Sequence, residues 1–595
     1  MKPARSSRRP RESPLGVRLG VFFLWLVVLV PPFLLAPVAF ESFRQPKLLA
    51  GEWLALASLV CLAWGARRTG VAVRPAELWS LPAVRLVLPM LLVATAGLAL
   101  TRHPVHARDA LIDLWIGAAA LVGWSAAVPG SRLERLLRGL LWPATALGAI
   151  AILQFHDLWQ PLQFLGMAPA SRLAVTSLAG NPGDLGAYLV LPSLVAQEAL
   201  RRRLREGGWG RPAVWGVAVA LAVCVYGLLL TQTLAAVVAL LAGSLLLWGS
   251  RLPRRLAPGL LAGGALATAL LVTAVPPLRH RVVEKVHQAA AGNWGAVLSG
   301  RPDGWRAAVW MLERHPLTGV GHGGYLPEFV PAKLALLDRG VPFDLDPTLG
   351  VFANAHNELL TVGAEWGVPG LLAVVWALWV LLGALRRLPP EEWVLAGAGI
   401  AALVVLALVD FPFHVALVAY PALLFLSWVV HRPAGGEEPA GEGAGRGRTL
   451  ATVLMALLAV ALMAQAVRWR DVALANRLLG SVQRLSMAMA STKQAPPQLV
   501  AQNLAALRRA APLDPVQVGI PITRGGQYLF FLNRPEEAER SYQEALRLEP
   551  RPEVYMGLGK AQWLAGRREE AARNFGLALR LNPFLARELP TGAPQ

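Results

Sequence analysis

Residues suited to acid–base and anion chemistry concentrate between Ser299 and Gly370. Ser299-Gly300-Arg301 is followed by Trp305 and Trp310, then by His315-Pro-Leu-Thr-Gly-Val-Gly-His322-Gly-Gly-Tyr325, then by Asp338, Asp344 and Asp346. Asn354-Ala-His356-Asn357 comes next, with Glu365, Gly367 and Gly370 behind it. An imidazole titrates near neutrality and can take a proton from a hydroxyl. A guanidinium is permanently charged and fork-shaped, and suits a phosphate-bearing anion. Long loops are usually functional or disordered, and the Trp, Gly, His and Arg content argues against disorder. The stretch reads as the active-site loop of a membrane enzyme.

Not every polar residue here earns that reading. A lone loop histidine is usually a surface residue, and His156, His315, His322 and His414 are read that way. The three aspartates lack calcium-loop spacing and read as solvated carboxylates. Gly319-Val-Gly321-His-Gly323-Gly324 follows no strand and precedes no Lys-Ser/Thr, so a flexible turn is expected rather than a nucleotide site.

The elements that must position these groups are apolar. Hydrophobic residues make up 55% of 595, charged residues 16%, and mean hydropathy is +0.47, which points to an all-α, polytopic membrane protein. About 12–13 transmembrane helices are expected, each near the ~20 residues a bilayer requires. They lie near 15–40, 48–64, 81–100, 111–128, 136–155, 184–200, 213–231, 234–248, 259–275, 368–385, 393–409, 415–430 and 450–467. Arg67-Arg68, Arg132 to Arg138, Arg201 to Arg205, Arg251 to Arg255, Arg386-Arg387 and Arg446 with Arg448 fall in alternate loops. That alternation is the positive-inside pattern, so the formal charge of +20 calls for no nucleic acid. Cys61 and Cys224 sit inside apolar runs, which leaves neither a disulfide framework nor a thiolate metal site.

This gives a basic cytoplasmic tail at 1–14, transmembrane helices over 15–275, a large extracytoplasmic loop at 276–367 and further spans over 368–432. A Gly-rich cytoplasmic linker at 433–448, a last span at 449–467 and an extracytoplasmic domain at 468–595 complete the chain. Glu52, Arg85, Asp113, Glu198 and Asp410 fall toward predicted span ends, whereas a transporter places such groups near the midplane.

In the tail, Arg534-Pro-Glu-Glu-Ala538 to Pro550 recurs as Arg567-Arg-Glu-Glu-Ala571 to Pro583, an offset of 583 − 550 = 33 residues. Tyr555, Leu558-Gly559, Ala571, Phe575, Ala578 and Pro583 resemble the tetratricopeptide repeat. Such repeats either cap the membrane domain or dock a protein partner.

His356-Asn357, nine intervening residues and Gly367-Val-Pro-Gly370 resemble the signature of the O-antigen ligase and O-antigen polymerase superfamily. Ser299-Gly-Arg301 with Trp305, and Arg172 followed by Gly180-Asn181-Pro182 and Ala187-Tyr188-Leu189, resemble the family's other loop segments. The resemblance implies a cofactor-free, metal-independent transferase of the glycosyltransferase C-like type, acting at the outer face of the cytoplasmic (inner) membrane. It would move a glycan from undecaprenyl diphosphate to an acceptor hydroxyl on a lipid A core or a growing glycan. On this reading His356 is the base or positions the nucleophile, and Arg301 and Arg172 hold the diphosphate. Asn357, Glu365, Trp305 and Asn181 are the remaining substrate-side candidates, with Asn357 and Glu365 orienting His356, while Gly367 and Gly370 shape the helix entry. A protein O-oligosaccharyltransferase, and a transporter or scaffold docking partners through the repeats, stand as alternatives behind the ligase or polymerase.

Overall fold

The computed structural model describes residues 15–37, 39–69, 79–162, 175–251, 259, 263, 273–343, 351–431 and 444–593. Their regular structure is all helical, with no strand among the described residues. The first half holds α1 (Leu15–Leu29), α2 (Arg44–Thr69), α3 (Pro82–Gly97), α4 (Pro104–Ala127), α5 (Gly130–Gly139), α6 (Leu141–Phe155), α7 (Pro182–Gly207), α8 (Pro212–Leu230) and α9 (Leu234–Gly249). Then follow α10 (Pro276–Ala290), α11 (Trp294–Val297), α12 (Arg301–Arg314), α13 (Tyr325–Asp338), α14 (Glu358–Leu385), α15 (Pro390–Val409), α16 (Ala416–Val429) and the long α17 (Ala444–Thr492). The chain ends in α18 (Pro497–Ala510), α19 (Gly519–Gly526), α20 (Pro535–Leu548), α21 (Pro552–Leu564) and α22 (Arg568–Leu581).

Among the described residues eight helices are long and apolar enough to cross a membrane, and α3, α9 and α16 are shorter apolar helices. Every expected span but 259–275 falls on a helix; that one lies mostly outside the described residues. Proline opens α3, α4, α7, α8 and α15 at the first turn, where its missing N–H costs no hydrogen bond. Small residues allow close packing: a Cβ on Gly16 of α1 would lie 2.5 Å from the Gly65 nitrogen of α2. α7 is the central element, with Leu185, Tyr188, Leu189, Val190 and Leu194 all nearly inaccessible. Enclosure by α6, α8, α9, α15 and α16 lets it carry more polar residues than a lipid-facing span.

The large loop is itself helical, and α14 already begins at Glu358 rather than near Val368. Its segments gather with 468–593 at the end of the bundle where α2, α4, α7 and α14 start. Lys333 of α13 donates to the Leu581 carbonyl (3.3 Å), Arg580 pairs with Asp338, and Leu581 joins the core formed by Tyr325, Phe329 and Phe352. In the C-terminal helices, Phe575 and Tyr542 fill the space that Gly559 and Gly557 leave open. The 33-residue recurrence thus corresponds to helices meeting through small residues and an aromatic plug.

Candidate active site

The site is built around a kink in α14. Asn357 caps the helix: its Oδ1 accepts the Leu360 N–H (3.0 Å) and its Nδ2 donates to the Leu408 carbonyl (2.8 Å), tying the start of α14 to the end of α15. Further along, Pro369 has no N–H to return to Glu365, and Gly367 leaves the helical region at φ 66° and ψ −160°. The Val368 N–H departs to the Pro316 carbonyl (2.7 Å), so the carbonyls of Ala364 and Glu365 lose their helical donors. Val320 and Gly321 supply the missing N–H groups, each at 2.9 Å. Gly319, at φ 60°, lies so close that a Cβ would overlap the Glu365 carbonyl. The Gly-Val-Gly segment, expected to be a flexible turn, is instead the fastening that satisfies the broken helix.

His356 precedes this helix in a left-handed conformation, φ 50°, and donates its backbone N–H to Asn354 Oδ1 (3.0 Å). Its ring sits edge-on between Phe352 and Phe411, at 5.4 and 4.8 Å between centroids. Nδ1 lies 3.8 Å from Asp410 Oδ1, within ion-pair range but beyond hydrogen-bonding reach, and has no hydrogen-bond partner. Asp410 follows α15 directly and accepts the Phe411 N–H (3.1 Å).

Arg301 opens α12. One turn on, a Cβ at Gly304 would stand 3.3 Å from Ala355, so the start of α12 presses against the irregular segment before His356. The Arg301 guanidinium makes one long contact to the Leu298 carbonyl (3.4 Å), its Nε has no partner, and no carboxylate among the described residues reaches salt-bridge distance. Burial pushes its pKa down, and the charge of Asp410 offsets part of that. A second guanidinium, Arg44, is clamped by Asp184 through two 2.8 Å bonds and lies 5.4 Å from the Phe411 ring centre. Arg44 keeps 44% of its side chain exposed.

Around this centre lie two carboxylate–histidine pairs. Glu365 does not reach His356: its Oε2 is 2.9 Å from His322 Nδ1 and its Oε1 accepts the Tyr325 N–H (3.3 Å). The kink turns Glu365 toward the Gly319–Tyr325 segment, so it holds that segment rather than orienting His356. Glu358, first residue of α14, lies 3.3 Å from His414 and accepts the Phe413 N–H (3.1 Å). Burial alone would lower the His414 pKa, but the Glu358 carboxylate overrides it and pushes the value up to about 9. His322 is therefore a largely covered, paired group, and His414, exposed as expected, is paired with Glu358 rather than free.

The other expected residues divide as follows. Trp305 is half-buried beside the Phe329–Phe352 core, its indole N–H without a partner. Asn181 caps α7, accepting the Gly183 N–H at 2.7 Å. A Cβ on Gly370 would lie 2.5 Å from that of Trp366, so Gly370 is a packing position. Arg172, Asp344 and Asp346 lie outside the described residues.

Residues 217–375 match the family described as O-antigen ligase. That stretch is similar to an O-antigen ligase domain. No curated protein matches the sequence. The O-antigen ligase match includes Arg301, His356, Asn357, Glu365, Gly367 and Gly370, and supports a membrane glycan transferase of the ligase or polymerase type. Asp410, Arg44, Asp184 and His414 lie outside the O-antigen ligase match and are joined to it only by the fold. Asp410-Phe-Pro-Phe-His414 carried a usable signal: two ionisable groups around a proline in a very short connection between apolar helices.

Proposed function

We propose that the protein transfers a glycan from an undecaprenyl-diphosphate carrier to an acceptor hydroxyl, on a lipid A core or a growing glycan, at the outer face of the cytoplasmic membrane. The observation that carries this reading is Arg301: a half-buried guanidinium whose Nε is buried without a partner, with no carboxylate at salt-bridge distance among the described residues, and within electrostatic reach of Asp410, the carboxylate nearest His356. A half-buried cation in that state favours an anion from outside, and the diphosphate of the donor has the matching charge and geometry.

In the reaction the acceptor oxygen attacks the anomeric carbon, and the bond from that carbon to the diphosphate oxygen breaks. The electron pair leaves on the diphosphate, which Arg301 and Arg172 neutralise. The acceptor proton passes to His356. With Nδ1 turned toward Asp410, Nε2 is the nitrogen left for the acceptor, and the Asp410 carboxylate stabilises the imidazolium that forms. Because guanidiniums supply the positive charge, the transfer proceeds without a metal.

The experiment is incubation of purified protein with lipid-linked oligosaccharide and, separately, lipid A core, carrier-linked glycan or a Ser/Thr-containing protein, all in chelator. Transfer to lipid A core or carrier-linked glycan supports the proposal. Transfer to protein alone would replace it with the protein O-oligosaccharyltransferase reading, and Arg301→Ala and His356→Ala proteins working at the wild-type rate would end it.

A further inference from the structure

A recess lies at the opposite end of α14 from His356, about 40 Å along the helix. Pro82 and Arg85 of α3, Trp376, Trp379 and Gly383 of α14, and Arg387 just beyond it enclose about 120 Å³. The Trp376 indole donates to the Arg85 backbone carbonyl (2.8 Å), which fixes the ring as one wall. The Nε of Arg85 is buried without a hydrogen-bond partner, and neither Arg85 nor Arg387 has a carboxylate within salt-bridge distance among the described residues. α3 begins here with Pro82 and no capping side chain, so the positive end of its dipole faces the same space.

The volume suits a phosphate group and excludes a whole lipid. Outside the recess, Leu372, Val375 and Trp379 form an exposed apolar stripe at helical spacing, each more than 60% accessible. That stripe leads along α14 to the mouth between the two arginines.

We propose that this recess binds one anionic phospholipid, its phosphate between Arg85 and Arg387 and an acyl chain along Leu372, Val375 and Trp379. Charge complementarity selects the occupant: two cations without counter-ions attract an anionic headgroup, and the tryptophans sit where an amphipathic ring meets the headgroup level. A polyprenyl phosphate offers the same phosphate chemistry on a different chain, and competition separates the two sources.

The test is native mass spectrometry of the full-length protein in neutral detergent, titrated with phosphatidylglycerol, phosphatidylcholine or undecaprenyl phosphate. One phosphatidylglycerol should be retained in preference to phosphatidylcholine, and R85Q/R387Q should weaken it about 30-fold. R386Q, next to the recess but not lining it, should leave binding unchanged. If the double variant does not fold, R387Q alone, at an exposed position, should weaken binding about 5-fold. Equal retention of phosphatidylglycerol and phosphatidylcholine, wild-type binding by the arginine variants, or equal loss in R386Q would overturn the site. Displacement of phosphatidylglycerol by equimolar undecaprenyl phosphate would overturn its assignment to a phospholipid.

Discussion

Two charged clusters stand where the helices meet the site end of the bundle, and they are built in opposite ways. In one, Arg468 of α17 has both terminal nitrogens occupied by carboxylates: Asp113 at 2.9 Å, Asp109 at 2.9 Å and Glu52 at 3.2 Å, with Gln465 also bonded to Glu52. In the other, Arg301 has no carboxylate partner among the described residues, and the nearby imidazole of His356 stops 3.8 Å short of Asp410. In the first cluster the cation is matched by carboxylates, although Arg468 Nε and Glu52 Oε1 have no hydrogen-bond partner, and the cluster joins α17, with the C-terminal helices beyond it, to α2 and α4. The second leaves a half-buried cation without a carboxylate and an imidazole nitrogen unsatisfied. A buried ion pair that is already closed specifies assembly, whereas one left open in a recess has capacity for a ligand.

That contrast separates the effects of substitution. Arg301→Ala should lower glycan transfer about 10³-fold, the scale of removing one preorganised charge from a transition state, with little change in thermal unfolding. An assay of purified variant with lipid-linked oligosaccharide measures it. Arg468→Ala should do the reverse, costing on the order of 3 kcal/mol because Glu52 is left buried without its cation, while transfer per folded molecule stays within a few-fold of wild type. Thermal unfolding in detergent reads that loss, and a collapse of transfer in fully folded Arg468→Ala would erase the distinction between the clusters.

Gly367→Ala comes next. It forces a side chain onto φ 66° and brings a Cβ within 2.5 Å of the Pro316 carbonyl, so roughly 2 kcal/mol of stability should be lost. Proteolysis between α12 and α14 should quicken if the fastening of the kink is released. The smallest effect is a pH dependence. His414 is raised to about 9 from an ordinary 6.5, so its charged link to Glu358 contributes fully below pH 6.5 and is lost as pH rises through about 9. Stability should decline over that window, and the decline should flatten in His414→Gln.

The helical, membrane-spanning class was legible because a bilayer demands long apolar runs, and the composition had room for little else. His356 and the Gly367–Gly370 pair stood out because their spacing was local, and Arg301 because Ser299-Gly-Arg301 with Trp305 resembles a family loop segment. The partners did not. Asp410 lies 54 residues from His356 and reaches it only when α14 and α15 pair as neighbours. Glu365 was assigned to the wrong histidine because a helix break, not sequence distance, decides where it points. The Gly-Val-Gly turn looked mobile because the carbonyls it satisfies are orphaned by a proline nearly fifty residues later. Arg44 gave no local signal at all, since its meaning depends on Asp184 and Phe411 from two other segments.

The most direct test of the open cation is equilibrium binding of undecaprenyl diphosphate to wild type, Arg301→Gln and Arg468→Gln in lipid nanodiscs, counted per folded molecule. The expected result is a loss of about 30-fold or more for Arg301→Gln, from one lost charge-assisted bond pair, and less than two-fold for Arg468→Gln. Wild-type affinity in Arg301→Gln, or an equal loss in both variants, would contradict the assignment of Arg301 as the diphosphate-binding group.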